Sequence, residues 1–468
     1  MEIDAAPLTR VPLWINRNFA LLWAGQAISF VGDFVFDTTL ILWIAAQIAV
    51  GQSWAPIAVS GVLVAVAAPT LLIGPISGVF VDRWDKRHTM LVADAARAAL
   101  IGILVLTSGA IPLPILDGGR LPVAGQLVMI YAVVLLATTA QQFFGPSRVA
   151  MIGDIVAPEL RERASGLGQV TMSLAMILGP PIAAPLVFNV GVQWALFVNA
   201  ASFLVSFVAI LLVHAPPAAR SIVPGQTGRF RREFVDGLRF FSRNQVLRTV
   251  LIACIIIMLG VGALNALDIF FVTGNLHTSP SLYGWLNAAF GVGAVMGAIL
   301  STLFARRLHP ARVFWLSLFA AAACLLVYSR LTSFAPAVVV LLLIGIPSAA
   351  VNVVVTPLLL NETPRELVGR VAAVLNPLIS LASIISIAVS GLLVSTLLRH
   401  LHAAVFGMRF GPVDTIFSVI GILVLAAAVY SAINLRGSVA ASSASSRAAP
   451  DAPGAGRTDP ESAPGLAP

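Results

Sequence analysis

Charge is what this sequence has least of. Asp, Glu, Lys and Arg make up 10% of its 468 residues, where a soluble domain carries about 25%. With 59% hydrophobic residues and a mean hydropathy of +0.96, the chain cannot cover its apolar surface and face water all round. That excludes a soluble domain and makes length useless for counting domains. Lysine is reduced to Lys86 alone. Cysteine is nearly absent: Cys254 and Cys324 both lie inside apolar runs, so they read as core residues rather than a disulfide framework. The six histidines fall in loops or at the ends of apolar runs. No H-E-x-x-H, clustered Cys/His or P-loop pattern occurs, so no metal, nucleotide or other cofactor is expected. A nucleophile paired with a base is also missing, so the chain does not read as an enzyme. Met1–Asn18 contains acids and proline but no h-region, and the apolar run that follows is too long for a cleavable signal.

What fills the chain is a series of apolar runs, each near or above the roughly 20 residues that cross a bilayer. They lie at about 19–47, 55–81, 89–109, 124–145, 166–188, 192–213, 247–273, 282–304, 311–329, 335–360, 371–398 and 412–434. The predicted fold is an all-α membrane protein of twelve transmembrane helices. A short arm (1–18) precedes a first six-helix bundle (19–213). A linker (214–246) leads to a second bundle (247–434), and an Ala/Ser/Pro/Gly-rich tail (435–468) reads as disordered.

Basic residues test this map. On it, 23 of the 28 Lys and Arg fall on one side, four on the other and one, Arg97, within a span. Short loops rich in Lys and Arg stay in the cytoplasm, so both termini are expected there. The formal charge of +8 and a pI near 10.6 then reflect topology, and no nucleic-acid partner is expected. Within the linker, Phe230, Phe234, Leu238 and Phe241 recur at helical spacing among Arg229, Arg231, Arg232, Arg239 and Arg243. An apolar stripe on a basic helix predicts a segment lying on the inner leaflet, with its aromatics in the headgroup boundary.

The most informative stretch joins the second and third runs: Gly74-Pro75-Ile76-Ser77-Gly78-Val79-Phe80-Val81-Asp82-Arg83-Trp84-Asp85-Lys86-Arg87-His88. Gly78 is expected to let helices approach closely. Asp82 is placed to accept from amides at a helix start, and Arg83, Lys86 and Arg87 to pair with it or with carbonyls at a helix end. Gly78-x-x-x-Asp82-Arg83-x-x-Lys86-Arg87 resembles the loop motif between helices 2 and 3 of the major facilitator superfamily. There the motif latches the two halves in the outward-open state. Asp85 stands where glycine is usual, a departure similar to the macrolide and siderophore (enterobactin) exporter-like branch of drug:proton antiporters. The resemblance covers about residues 17–435. It implies two pseudo-symmetric six-helix bundles rocking about a substrate site near the membrane midplane.

Weak internal similarity fits such a duplication. Gly74-x-x-x-Gly78 has a counterpart in Gly293-x-x-x-Gly297, and 157–164 in 363–370. In the fifth span, Gly179-Pro180-Pro181 looks like the superfamily's antiporter motif. Small residues there are expected to pack on a neighbour and close the cytoplasmic side, or simply to serve helix packing. The fourth span lacks the exporter branch's intramembrane arginine at Thr138–Gln142, and Arg148 is read as lying near the loop.

Charges inside spans each cost roughly 2.5–3.5 kcal/mol at a helix centre and so require a reason. Asp33 and Asp37 stand four residues apart on one face of the first span, where two ionised carboxylates would repel. They are candidates to carry a proton, to contact a cationic substrate, or to hydrogen-bond a neighbouring helix. Asp94 and Arg97, at i, i+3, read as a structural pair, with Asp94 also a coupling candidate; Arg97 alternatively faces Asp33. Asp268, towards the outer end of the seventh span, is a further coupling candidate, an outer-gate residue or a snorkelling one. Gln26, Phe30, Phe34, Gln141, Gln142, Gln169, Asn287, Asn352 and Asn376 are expected around the substrate by position alone. The expected function is proton-coupled efflux of small amphipathic molecules (drugs, macrolides or siderophores) by alternating access. Its partners would be the substrate, protons and the bilayer, and the chain would act as a monomer in a bacterial plasma membrane. An uptake symporter, or a non-transporting sensor or scaffold, stays open on sequence alone.

Overall fold

In a computed structural model, the described residues are 15–81, 83–110, 121–214, 238–241, 243–304, 309–364, 367–401, 403–405 and 408–448. Within them twelve helices are long and apolar enough to cross a membrane. Spans 1–6 are Arg17–Ile48, Ala55–Leu72, Lys86–Gly109, Val123–Ile155, Pro158–Val190 and Val192–Leu212. Spans 7–12 are Gln245–Gly274, Pro280–Leu303, Pro310–Tyr328, Phe334–Glu362, Val368–Ser395 and Pro412–Leu435. Span 2 breaks at Ile73 and resumes as a short helix, Gly74–Val81.

Local chemistry sets the ends. Asn16, Asp85, Asn244 and His309 accept from the first free amides of spans 1, 3, 7 and 9, where the helix leaves donors unsatisfied. Span 5 ends in a widened turn closed by Gly191 at φ 117°, whose N–H donates to the Leu186 carbonyl at 2.8 Å. A side chain is strained in that conformation, which is why glycine stands there.

An even number of spans puts the start of span 1 and the end of span 12 on one face, which also carries most of the described arginines and is called here the arginine-rich face. The opposite face holds a two-stranded antiparallel hairpin between spans 11 and 12, Ala403–Val405 pairing with Met408–Phe410. Among the described residues that hairpin is the one departure from an all-α chain.

The two bundles meet chiefly through span 2 against span 11 and span 5 against span 8. Lipid tails are as apolar as the helix surfaces, so close backbone packing rather than the hydrophobic effect holds such contacts. Gly391 lies against Ser60 and the Pro56 carbonyl, and Gly284 against Pro180 and Pro181, so neither position has room for a Cβ. The Ile57 amide also donates to Ser395 Oγ at 3.1 Å. All these contacts belong to the halves of the helices nearer the opposite face. There one continuous apolar core joins both bundles. Towards the arginine-rich face the first bundle packs separately, around Leu22, Met90 and Phe144 and around Phe19 and Val156. The second packs separately around Phe241, Leu247 and Val371. The molecule is therefore sealed at the opposite face and divided at the arginine-rich one.

Several expectations need correction. The helix of span 12 runs on past the apolar run to Ala448, so 435–448 is helical rather than disordered. Phe241 is 1% exposed and packs against Leu247 and Leu251, so it belongs to the second bundle's core and not to a headgroup boundary. Phe230 and Phe234, most of the arm 1–18 and the tail beyond 448 lie outside the described residues. Gly78 makes no close approach: a Cβ there would meet nothing within 4 Å, because the bundles are apart at this level.

The seal yields a prediction. In Gly391→Val, the added carbons would meet the Ser60 side chain at 2.7 Å and the Pro56 carbonyl at 2.9 Å. Overpacking of about 1–3 kcal/mol falls on the sealed state, shifting the balance towards opening about tenfold or more. A cysteine at Val394, in a background without Cys254 and Cys324, should be alkylated several-fold faster in that variant; an unchanged rate would contradict the seal.

Candidate functional site

Three features recur where functional charge is found: a buried ion pair, exposed acids deep in a span, and the loop after span 2. The ion pair lies in the first bundle. Asp94 is 0% and Arg97 3% exposed, and they bond directly. Arg97 also donates to Gln141, and its guanidinium stacks over Phe203 and Phe144 at 4.2 and 4.7 Å from the ring centroids. Ser206 Oγ donates to the second Asp94 oxygen at 2.6 Å, and Gln26 Nε2 donates to Ser206 Oγ at 2.9 Å. Spans 1, 3, 4 and 6 are thereby tied through one chain of polar side chains. Gln26 and Gln141, expected around the substrate, are spent in this network, with Gln26 4% exposed. Both face their own bundle because Arg97 and Ser206 attract them there.

Asp33 and Asp37 differ. Span 1 packs on spans 5 and 6, and Phe30, Asp33 and Asp37 lie on one side of it at i, i+3 and i+7. Asp33 is half-buried within electrostatic reach of Arg97 and Asp94, and Asp37 is exposed. Neither carboxylate forms an ion pair among the described residues. Asp37 also lies within electrostatic reach of Tyr283 at the start of span 8, in the other bundle. Asp268 is 6% exposed and accepts from Tyr328 Oη at 2.5 Å, within a cluster that includes Phe271 and Phe417. It does not snorkel, because a buried phenol satisfies it.

The loop after span 2 ties down the first bundle. Asp85 caps span 3 by accepting from the His88 amide at 2.6 Å; Asp82, expected to accept there, lies outside the described residues. Lys86 pairs with Asp154 at the end of span 4. Arg87 donates to the Ile210 and Leu211 carbonyls at 3.2 and 2.6 Å, covering acceptors left free at the end of span 6. Arg83 is exposed.

The Gly179-Pro180-Pro181 step makes two crossings. Gly179 sits against Phe34 and Val35 of span 1, where a Cβ would stand 3.2 Å from backbone, and Pro180 and Pro181 bear on Gly284 of span 8. The contact with span 8 closes the opposite face, not the arginine-rich face first expected, because Gly284 is one turn into span 8 from that end. Beyond the seal lies an outer vestibule of about 1490 Å³ bordered by Gln52, Thr273, Asn275 and Arg399.

The remaining candidates scatter. Gln142 donates to Thr70 of span 2 at 3.1 Å, and Asn287 to the Tyr283 carbonyl at 3.2 Å. Asn352 is exposed and bonds within its own helix, and Gln169 and Asn376 are exposed. Arg148 was misplaced: span 4 extends to Ile155, so Arg148 lies two turns inside it with its guanidinium 4.9 Å from the centre of the Phe30 ring. The apolar run Val149–Ile152 after it was the signal that the helix continues.

With this geometry in hand, the family model described as "Transmembrane secretion effector" matches residues 8–406. The chain belongs to that family of the major facilitator superfamily. The transporter is 21% identical to the uncharacterized MFS-type transporter YkuC of Bacillus subtilis, over 84% of this chain and 89% of that one. It is 23% identical to macrolide efflux protein A of Streptococcus pyogenes, over 80% and 89%. Its fold matches the crystal structure of the nucleoside transporter NupG (D323A mutant) at a TM-score of 0.70 and 11% identity, covering 90% of this chain and 100% of that one. It is a multi-pass membrane transporter with efflux-type relatives, not an enzyme.

The buried pair predicts an asymmetry. Asp94→Asn leaves a guanidinium buried without its counter-charge and should cost about 3–5 kcal/mol, read as a large fall in melting temperature in detergent. The double variant Asp94→Asn/Arg97→Gln should recover much of that loss. Simple addition of the two single losses would show that the pair is not coupled.

Proposed function

We propose that the transporter exports small amphipathic molecules in exchange for protons, alternating between the state described and one open at the opposite face. The observation that carries this reading is Asp37: an exposed carboxylate deep in span 1, on the side that also carries Phe30 and Asp33, without an ion-pair partner among the described residues. An acid so placed is free to trade a proton for a ligand as the bundles move, whereas Asp94 is committed to Arg97. Asp33, between the two, would pass the effect of that proton to the Arg97 network.

The arginine bias supports placing the arginine-rich face in the cytoplasm, with both termini there. The state described is then open inwards, ready to take up an export substrate. Macrolide efflux protein A supports export as the direction and a bulky amphipathic cargo as the class. An inward-moving proton releases about 2.3 kcal/mol per 100 mV of membrane potential, enough to drive a substantial gradient without nucleotide. Gly78, where a Cβ would meet nothing within 4 Å among the described residues, and the exposed Arg83 would meet the second bundle when the inner side closes.

Inverted vesicles test this. With an acidic interior they should accumulate at least one compound of a broad drug panel, and collapsing the proton gradient should release it. Asp37→Asn should abolish gradient-driven accumulation with the protein present at normal level. Absence of accumulation for every compound, or normal accumulation in both Asp33→Asn and Asp37→Asn, would refute proton-coupled export.

A further inference from the structure

Arg148 lies two turns inside span 4 and has no ion-pair partner among the described residues. Of the arginines drawn into the helical body, Arg97 pairs with Asp94, and Arg330 lies 3.7 Å from Asp414. Arg148 joins none of the ion pairs among the described residues, and its buried Nε has no hydrogen-bond partner. Its guanidinium lies over the face of Phe30, 4.9 Å from the ring centre. A guanidinium held on a ring, with donors free, is preorganised for a planar anion, which it binds through two parallel hydrogen bonds.

Its place gives the anion a context. Side chains on a helix lean towards its N-terminus, which for span 4 is the opposite face, so Arg148 reaches from two turns inside its helix towards the middle of span 1, where Phe30 lies. Phe30, Asp33 and Asp37 follow one another along the same side of span 1. Seven residues of helix separate Phe30 from Asp37, a rise of about 10 Å. A cationic end, Arg148 on Phe30, and an acidic end, Asp33 and Asp37, therefore lie along one side of span 1.

Building on the export reading, we infer that Arg148 on Phe30 is an anion-recognition site, and that the exported class is amphoteric. The carboxylate of such a molecule is held by Arg148, and a protonated amine about 10 Å away lies at Asp37. The amine and an incoming proton compete for the same carboxylate, which is the competition that exchange requires. A purely cationic cargo would leave Arg148 unpaired and would be repelled by it.

Norfloxacin serves as probe, because its carboxylate and piperazine amine lie at opposite ends of a flat ring system and it is fluorescent. Equilibrium binding to the purified full chain in detergent is compared with its methyl ester, which lacks the anion, and its N-acetyl derivative, which lacks the cation. The wild type should prefer norfloxacin to the ester by about tenfold or more. Arg148→Gln should reduce that ratio to about one, and Arg148→Lys, a point charge without the planar fork, should hold an intermediate one. Asp37→Asn should instead erase the preference over the N-acetyl derivative. Equal binding of norfloxacin and ester by the wild type, no measurable binding of either, or discrimination retained in Arg148→Gln would overturn the proposal. If Arg148→Gln fails to elute as a single species, the wild-type ratio and Arg148→Lys decide. Discrimination without gradient-driven transport would sink the export reading and leave the anion site standing; transport without discrimination would do the reverse.

Discussion

Backbone-to-backbone approach at a few positions without side chains is the constraint on which the rest of this structure depends. In lipid, apolar helices gain little by touching one another, so what joins the two bundles must come from contact too close for a Cβ. Gly391 on Ser60 and Gly284 on Pro180 and Pro181 supply it, all near the opposite face. Because these contacts seal one end only, the first and second bundles keep separate cores at the other. Each bundle can then turn about the seal as a body. Span 8 is fixed within its own bundle in the same way, with Gly293 and Gly297 against span 10.

The buried charges divide along the same line. Asp94, Arg97, Gln141, Ser206 and Gln26 bond to one another inside the first bundle, and Asp268 to Tyr328 inside the second. These tie the helices within each bundle to one another. Among the described residues Asp33, Asp37 and Arg148, on spans 1 and 4 of the first bundle, join no ion pair. Helices tied within each bundle, with a few charges of the spans left outside those ties, suit a proton-driven exchange.

Twelve spans and their two-by-six division were legible in the sequence, because hydropathy acts through composition and does not depend on partners. Asp94 with Arg97 was legible too, since a helix brings i and i+3 together whatever surrounds it. Side-chain direction was not. Gln26 and Gln141 share the polarity of a cavity residue, but a buried arginine and a serine on other helices claimed them. Gly78 has the signature of a close approach, yet a glycine records such a contact only in the state where the neighbour is present. Arg148 was assigned to a loop because a charge ends an apolar run in any window count; the helix continues because its next residues are apolar and its side chain has an aromatic face to lie on.

The most direct test of the account is a pair of distances across the bundles measured by pulsed electron paramagnetic resonance. One pair of spin labels is placed at Val149 and Leu360 towards the arginine-rich face, and the other at Gln52 and Arg399 at the opposite face. The account predicts that moving from pH 8 to pH 5 changes the two distances in opposite senses, one shortening as the other lengthens, and that Asp37→Asn removes the response. Two distances that stay fixed, or that grow and shrink together, would contradict it.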